Sequence, residues 1–388
     1  MSTPDFTSFL KLMAHKKASD LFVTAGVAPS IKINGRITPI TQTPLTASQS
    51  RDMVLNVMTP AQREEFEKTH ECQFAISLSG VGRFRVSAFY QRNCVGMVLR
   101  RLETRIPTVE ELNLPPILKQ LAMTKRGIII MVGATGAGKS TTLAAMIGYR
   151  NQNSTGHIIS IEDPIEYVHK HEGCIITQRE LGIDTDSWEN ALKNTLRQAP
   201  DVIMIGEVRT RETMSHAINF AETGHLVLCT LHANNANQAM ERIIHFFPVD
   251  VREQLFMDLS MNLKGVVAQQ LIPTPDGKAR RVAVEVLLGT PLVQDYIRQG
   301  EIHKLKDVMK ESNLLGMKTF DQSLVELYHA GEISYEDALR HADSANEVRL
   351  RIKLSQGGDA HTLSQGLDGV EVEQPRGGDN FGGVLLKR

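Results

Sequence analysis

The sequence lacks any long apolar run. No stretch approaches the ~20 consecutive apolar residues that span a bilayer. The N-terminal segment, MSTPDFTSFLKLMAHKK, has no apolar core of signal-peptide length. We therefore expect a cytoplasmic protein that meets a membrane only through partners.

The sequence also has little net charge. Its 43 Lys and Arg residues against 44 Asp and Glu residues give a formal charge of −1. Nucleic-acid-binding proteins usually carry a strongly basic face or a stripe of aromatic and basic residues. The balanced charge gives no global basic field and the sequence has no such stripe, which argues against nucleic acid as a partner, while a local basic face stays open.

Cysteine is scarce and scattered. Cys72, Cys94, Cys174 and Cys229 are far apart, and none belongs to a C-x-x-C pair. This spacing argues against a zinc knuckle or a C-x-x-C redox motif. We expect buried structural thiols rather than disulfides.

Hydrophobic periodicity predicts two kinds of structure. The first ~110 residues mix helical segments, one of them around 46–70, with alternating strand-like runs, as in a small α+β domain. From Gly127 onward, strands alternate with helices, which predicts an α/β domain with a largely parallel sheet. The predicted strands are 127–132, 157–161, 202–205, 226–230 and 282–288, and the predicted helices lie near 139–150, 187–198, 210–222 and 236–247.

Composition suggests the domain boundaries. We expect an N-terminal domain over 1–112 and a linker over 113–120, which overlaps a segment (106–118) that holds three prolines. The α/β domain with its C-terminal helices then covers 121–355. Residues 356–388 are rich in glycine and poor in large apolar residues, which predicts a flexible tail.

A phosphate-binding motif follows the first predicted strand of the α/β domain. GATGAGKS at 133–140 matches G-x-x-x-x-G-K-[ST], with IIIMV before it and the helical TTLAAMI after it. Glycines let backbone N–H groups surround a phosphate at a helix N-terminus. In this motif the lysine, Lys139, contacts the outer phosphates and the Ser140 hydroxyl ligates Mg²⁺. The predicted nucleotide-binding residues are Gly133, Ala134, Thr135, Gly136, Ala137, Gly138, Lys139, Ser140 and Thr141.

Two acidic motifs follow later strands. IEDPIEY (161–167) places Glu162, Asp163 and Glu166 just beyond a strand end, where a carboxylate can deprotonate an attacking water. A solvated acidic loop is the alternative. The second motif, DVIMIGEVR (201–209), ends its strand in Gly206 and Glu207, where most P-loop ATPases place an aspartate that holds Mg²⁺.

Two histidines bracket a further apolar strand in TGHLVLCTLHANNA (223–236). His225 and His232 are too far apart along a strand to share a metal ion. A structural role and a phosphate-sensing or subunit-contact role both remain open for them.

These four motifs, in this order, resemble the secretion ATPases that drive type II secretion and type IV pili. The resemblance covers about residues 5–350. It implies a RecA-like P-loop ATPase domain preceded by a small PAS-like α+β domain, with ATP and Mg²⁺ as cofactors. In this family Gly-Glu replaces the usual strand-end aspartate, so Glu207 is expected to support Mg²⁺ through water while Ser140 ligates it.

The same resemblance assigns roles to other side chains. The Asp box IEDPIEY supplies the base, for which we favour Glu166 and place Glu162 second. Arginines of the N-terminal domain reach the phosphates, and Arg85 and Arg100 are our candidates. The substitutes are Arg83, Arg92 and Arg101, and the alternative is a set of solvated strand arginines. His232 joins the candidate catalytic residues through the family's His box.

The family forms hexameric rings that convert ATP hydrolysis into rigid-body domain motion. Its extension and type II members carry a longer N-terminal region and a cysteine-rich zinc element, and both are missing here. The chain therefore resembles the PilT/PilU family of retraction ATPases. The segment that corresponds to the PilT-type motif AIRNLIRE is PLVQDYIRQ (291–299), which keeps only Ile297 and Arg298.

This departure, together with GEVRTRET (206–213) and the glycine-rich C-terminus, favours the PilU branch. We expect a hexameric motor for pilus retraction and twitching motility, peripheral at the inner membrane. It would assist a PilT-type paralogue and meet the inner-membrane pilus platform protein. The alternatives are an autonomous PilT-type retraction motor and a RecA-like nucleic-acid translocase.

Overall fold

The computed structural model describes residues 6–33, 35–102 and 105–355. Within these ranges, two separate sheets organise the chain. The small sheet is antiparallel and is built from the first part of the chain. Its elements are α1 (Phe6–His15), β1 (Asp20–Val23), β2 (Ser30–Ile33), β3 (Arg36–Pro39), α2 (Ala47–Asn56), α3 (Pro60–Thr69), β4 (Glu71–Leu78), β5 (Gly82–Gln91) and β6 (Cys94–Arg101).

The small sheet has the strand order β3-β2-β1-β6-β5-β4, and its helices cover one apolar face. Phe66 of α3 and Phe84 of β5 are fully buried in that core. The predicted helical stretch around 46–70 divides into two helices. Thr46 and Thr59 each form a capping box, and a second helix therefore starts at Pro60.

The large sheet has the order β13-β12-β7-β11-β10-β8-β9, and only β13 is antiparallel to its neighbour among these described strands. Its elements begin with α4 (Ile117–Ala122), β7 (Gly127–Val132), α5 (Lys139–Asn153), β8 (Gly156–Glu162), β9 (Cys174–Glu180), α6 (Trp188–Thr195), β10 (Val202–Ile205), α7 (Arg211–Glu222), β11 (Leu226–Leu231) and α8 (Ala236–Phe246). They continue with α9 (Arg252–Asn262), β12 (Leu263–Pro273), β13 (Arg280–Leu288), α10 (Pro291–Arg298), α11 (Leu305–Glu311), α12 (Phe320–His329), α13 (Tyr335–Arg340) and α14 (Ala345–Ser355).

The fold class predicted from the sequence is confirmed. Strands β7, β10 and β11 are buried along their whole length, as expected for apolar runs in the middle of a helix-covered parallel sheet. Strands β9 and β12 were not predicted. Four of the seven residues of CIITQRE in β9 are polar, and Gln269-Gln270 interrupt the apolar run of β12.

The structure bears on three further expectations, which concern the cysteines, membrane-spanning helices and the C-terminal residues. All four cysteines are free thiols, and Cys72, Cys174 and Cys229 are buried, as predicted. No helix in the described ranges is long and apolar enough to cross a membrane. The predicted flexible tail, 356–388, lies outside the described residues.

Candidate active site

The phosphate-binding motif forms the turn between β7 and α5. Gly136 and Gly138 have φ angles of +78° and +89°, in the left-handed region that glycine adopts without strain. This turn leads directly into α5, which begins at Lys139. The arrangement is the one in which backbone N–H groups and the helix N-terminus attract a phosphate.

Lys139 lies over this turn. Its Nζ donates to the carbonyl oxygens of Gly133, at 2.7 Å, and Ala134, at 3.0 Å. Burial lowers the pKa of Lys139, and the negative charge of Glu207 opposes that shift. The ammonium group is thus held at the mouth of the turn, within the electrostatic reach of Glu207.

Strand β12 supports the turn from behind. The Gln269 side chain donates from Nε2 to the Ala137 carbonyl oxygen at 2.5 Å. A Cβ on Gly138 would lie only 2.8 Å from the same nitrogen. The backbone angle favours glycine at 138, and an added Cβ would also displace the Gln269 amide from this position. Sequence patterns missed Gln269 because they missed β12.

Residues of all four motifs meet in one cleft of roughly 310 Å³. Its lining includes Thr135, Gly136, Lys139, Ser140, Glu162, Asp163, Glu166, Glu207, Arg209, Thr230 and His232. A larger cavity of roughly 620 Å³ lies between residues 105–110 and α5, and the motif residues of the cleft do not line it. The smaller cleft is therefore the candidate active site.

Glu207 is held at both carboxylate oxygens. His232 Nε2 lies 2.9 Å from Oε1, and an Arg209 guanidinium nitrogen lies 2.6 Å from Oε2. The side chain of Glu207 is only 18% exposed. The structure therefore places His232 at the acidic motif, whereas His225 contacts Thr223 and the Phe220 carbonyl at the other end of β11. Arg209 was not among the predicted site residues.

Gly206 joins three strand ends. Its N–H donates to the Ile161 carbonyl at 2.8 Å, and its carbonyl accepts from the Thr230 hydroxyl at 2.5 Å. A Cβ at this position would lie 3.1 Å from Glu162 Cα and 3.2 Å from the Ile161 oxygen. The strand-end glycine lets β10 approach β8, and Glu207 is the first residue that can direct a carboxylate into the cleft.

The two glutamates of the Asp box have different surroundings. Glu162 is 6% exposed, and its Oε1 accepts from Ser160 Oγ at 2.6 Å and from Gln178 Nε2 at 3.1 Å. Burial raises the pKa of Glu162 to about 7, against the effect of these hydrogen bonds. Glu166 also lines the cleft but is exposed.

A chain of hydrogen bonds links the Asp box to the phosphate-binding helix. The hydroxyl groups of Thr141 and Tyr167 are 2.9 Å apart. Gln178 Nε2 donates to the Tyr167 carbonyl at 2.8 Å as well as to Glu162. Gln178 belongs to β9, so the unpredicted edge strand also positions the site.

Glu285 anchors the other side of the site. It is a buried carboxylate on β13, and its Oε1 accepts from the Ala236 N–H at 2.7 Å. That N–H belongs to the first residue of α8, the helix that follows the loop of His232. Burial raises the pKa of Glu285 to about 7. A lone glutamate in a strand gave no sequence signal for this role.

The predicted arginines lie outside the cleft. Arg85 and Arg100 are direct partners across the β5–β6 ladder. Arg100 Nε donates to Asp20 at 3.0 Å, within the small sheet. Arg85 Nε lies 3.5 Å from Glu180 of β9, the strand next to β8. Their roles at the phosphates stay predictions.

Comparison with known proteins identifies the family. The family model for the type II/IV secretion system protein matches residues 4–353. The chain belongs to this family. The expected resemblance to the PilT/PilU group of secretion ATPases is confirmed by the relatives that follow.

The chain is 69% identical to the type IV pilus ATPase PilU of Pseudomonas aeruginosa, over 95% of this chain and 97% of the relative. It is 38% identical to the type IV pilus retraction ATPase PilT of the same species, over 87% and 98%. The crystal structure of the pilus retraction motor PilT with bound ADP is also similar, with a TM-score of 0.82 and 39% identity. That match covers 88% of this chain and 98% of the PilT chain.

The close approach at Gly206 provides a test. In Gly206→Ala, the added methyl group meets backbone atoms of β8, which have no side-chain freedom with which to yield. We expect the two acidic motifs to move apart. The unfolding free energy should fall by about 1–3 kcal/mol, and kcat should fall about ten- to a hundredfold. Thermal melting and steady-state ATPase assays measure both.

The control is Gly148→Ala, in the helix α5, where a Cβ meets only an ordinary contact at 3.4 Å. That variant should keep its turnover. Unchanged kcat in Gly206→Ala would show that the approach of β10 to β8 does not position the site.

Proposed function

We propose that the chain is the ATPase of a PilU-type retraction motor, which converts ATP hydrolysis into retraction of type IV pili. The observation that carries this proposal is 69% identity to PilU over 95% of the chain, combined with a cleft that unites all four nucleotide motifs. The identity to PilU, 69% against 38% to PilT, favours this function over an autonomous PilT-type motor, and neither relative supports a nucleic-acid translocase.

The cleft residues suit Mg²⁺ as the companion of ATP. Mg²⁺ prefers oxygen ligands and keeps several waters, and the exposed Ser140 hydroxyl lies beside Lys139 in the cleft. Both oxygens of Glu207 already have partners in His232 and Arg209. Glu207 therefore suits support of the ion through water better than direct ligation. When bound, the ion neutralises charge on the outer phosphates.

The surroundings of the Asp-box glutamates favour Glu166 as the base. A base must contact the attacking water, and Glu166 is the more exposed of the two. Glu162 is engaged by Ser160 and Gln178, which suits a role in holding the Asp box in place. His232 then orients Glu207, and Lys139 neutralises the outer phosphates.

The free energy of ATP hydrolysis would drive a motion of one domain against the other. We retain the division into an N-terminal domain (1–112), a linker (113–120) and an ATPase domain with C-terminal helices (121–355), with 356–388 as a tail. Arg85 and Arg100 belong to the first of these, and their approach to the phosphates would close the two domains on each other. A hexamer, a PilT-type paralogue and an inner-membrane platform protein are the proposed partners of a cytoplasmic, peripheral motor.

The site assignment predicts the effect of removing its charges. We expect Lys139→Ala to lower kcat about a hundredfold or more, because the outer phosphates lose their cation, and Glu207→Ala to lower it strongly as well. Purified full-length variants are compared in a phosphate-release assay. Lys193→Ala, an exposed lysine on α6, is the matched control. Wild-type turnover in either site variant would refute the assignment.

The pH dependence of kcat distinguishes Glu162 from Glu166 as the base. A base acts in its ionised form, so a reaction that depends on Glu162 would gain kcat as the pH rises through about 7. If Glu166 is the base, Glu166→Gln loses most of kcat at every pH, and Glu162→Gln retains more. The assignment would be reversed by two results together. Glu166→Gln would keep more activity than Glu162→Gln, and the increase of kcat near pH 7 would be lost in Glu162→Gln.

The motor function is tested in the source bacterium. Deletion of the gene should leave pili that extend but retract weakly under load, because an assisting ATPase is missing. In a strain without a PilT-type paralogue, this gene alone should not sustain retraction. Labelled pili are filmed in both backgrounds, and complementation with Lys139→Ala serves as the control for ATP hydrolysis. Failure of pili to form would indicate an extension motor instead.

A further inference from the structure

A buried glutamate fixes the start of the helix that follows His232. Glu285 of β13 accepts a hydrogen bond at Oε1 from the Ala236 N–H at 2.7 Å. Ala236 is the first residue of α8, and a donor at this position has no partner inside its own helix. A carboxylate satisfies that donor and is stabilised by the positive end of the helix dipole. Glu285 therefore determines where α8 begins.

His232 is attached to the start of α8 by a short loop. It directly follows β11, which is buried along its whole length, and only three residues separate it from Ala236. The Asn235 side chain closes this loop by accepting from the Gln238 N–H at 2.9 Å. So few residues have little slack to absorb a shift. A displacement of the start of α8 therefore moves His232 relative to Glu207, with which it is in contact.

The other side of Glu285 faces the C-terminal helices. Its Oε2 accepts no hydrogen bond from the described residues. Burial is the main cause that raises the pKa of Glu285, and the charge of Asp343 adds to that rise. The N–H groups of Ala236 and of Phe320, the first residue of α12, act against it, as does the charge of Lys306 on α11. Glu285 thus senses charges on elements beyond α8.

Lys306 connects these charges into one cluster, formed by Glu285, Lys306, Asp321 and Asp343. Lys306 Nζ donates to Asp343 Oδ2 at 2.7 Å, and the charges of Asp321 and Glu285 also act on it. Asp321 is buried and accepts from the N–H groups of Asp343, at 2.8 Å, and Ser344, at 3.2 Å. The carboxylates of this cluster belong to β13, α12 and the segment before α14, and they share one lysine.

We propose that Glu285 is a positioning residue that links the C-terminal helices to the chemical step. Through Ala236 it holds α8 and His232 in place, and through Lys306 it responds to the position of α11. A displacement of the C-terminal helices then changes the contact of His232 with Glu207, and with it the rate of ATP hydrolysis. This inference rests on the proposed function, because it requires that Glu207 takes part in ATP hydrolysis.

The first test is Glu285→Leu in the full-length protein, which removes the carboxylate and keeps a side chain of similar size. Because α8 loses its anchor, we expect kcat to fall about ten- to a hundredfold. The KM for ATP should stay nearly unchanged, since the phosphate-binding turn and Lys139 are not affected. Glu285→Gln keeps an acceptor oxygen for Ala236 and should retain more of kcat. Equal losses in the two variants would overturn the inference.

A double-mutant comparison separates positioning from a general loss of structure. In a His232→Ala background, Glu285→Leu should have little further effect on kcat, because the contact that it positions is already missing. If the two losses multiply instead, Glu285 does not act through His232. Thr46→Ala, which removes the cap of α2 in the small-sheet region, is the control for lowered stability and should keep the wild-type kcat.

Lys306→Met tests the link to the C-terminal helices. The change keeps the length of the side chain and removes its charge, so the Glu285 carboxylate loses a cation that favours its ionised form. A neutral carboxyl group accepts less strongly from the Ala236 N–H, and we expect kcat to fall about two- to tenfold. In a Glu285→Gln background, which has no charge to lose, Lys306→Met should have no such effect.

Lys310→Met is the matched control for Lys306→Met. Lys310 lies one turn further along α11 and pairs with Glu347 at 3.0 Å, so its loss should leave kcat unchanged. An equal loss from Lys306→Met in the wild-type and Glu285→Gln backgrounds would overturn the link, and this comparison decides also if Glu285→Leu does not fold. Failure of the proposed function is distinguishable, since it appears as wild-type protein without Lys139-dependent ATP hydrolysis.

Discussion

The parallel pairing of four central strands is the constraint on which the site depends. Ile130, Cys229, Ile205 and Ile161 are partners in register across β7, β11, β10 and β8. Because the strands are parallel and aligned, the residues that follow each of them emerge at the same edge of the sheet. The phosphate-binding turn, His232, Glu207 and Glu162 are therefore brought together by strands that contain hardly any polar residues.

The same constraint explains what the sequence could predict. Apolar runs such as GIIIMV and VIMI predict buried strands. A glycine-rich turn or a pair of acidic residues after such a run indicates a binding or catalytic site at the end of the strand. The order of motifs then suffices to name the cleft and most of its lining. The strand end at Gly206-Glu207 departs from the usual pattern for a steric reason that only the approach of β8 makes visible.

Other parts of the site could not be predicted because their signal is tertiary. Gln269, Gln178 and Glu285 are polar residues in strands, and a single sequence offers no means to distinguish them from surface positions. Each is buried or half-buried in the structure, and each is bonded to a backbone group or a side chain of the site. For Arg85 and Arg100 the residue type suggests phosphate contacts, but a sequence does not give their positions, because these depend on how the small sheet meets the large one.

Strand β12 also bears on how such a protein withstands load. It runs from Leu263 to Pro273, pairs with β13 from Gly265 to Pro273, and carries at Gln269 the side chain that supports the phosphate-binding turn. It is also bonded on its other side to β7, from Leu263 to Ala268, so a force on β12 is divided between two ladders. Strand β12 is accordingly rigid, and it can transmit tension across the sheet without deforming the phosphate-binding turn that Gln269 supports.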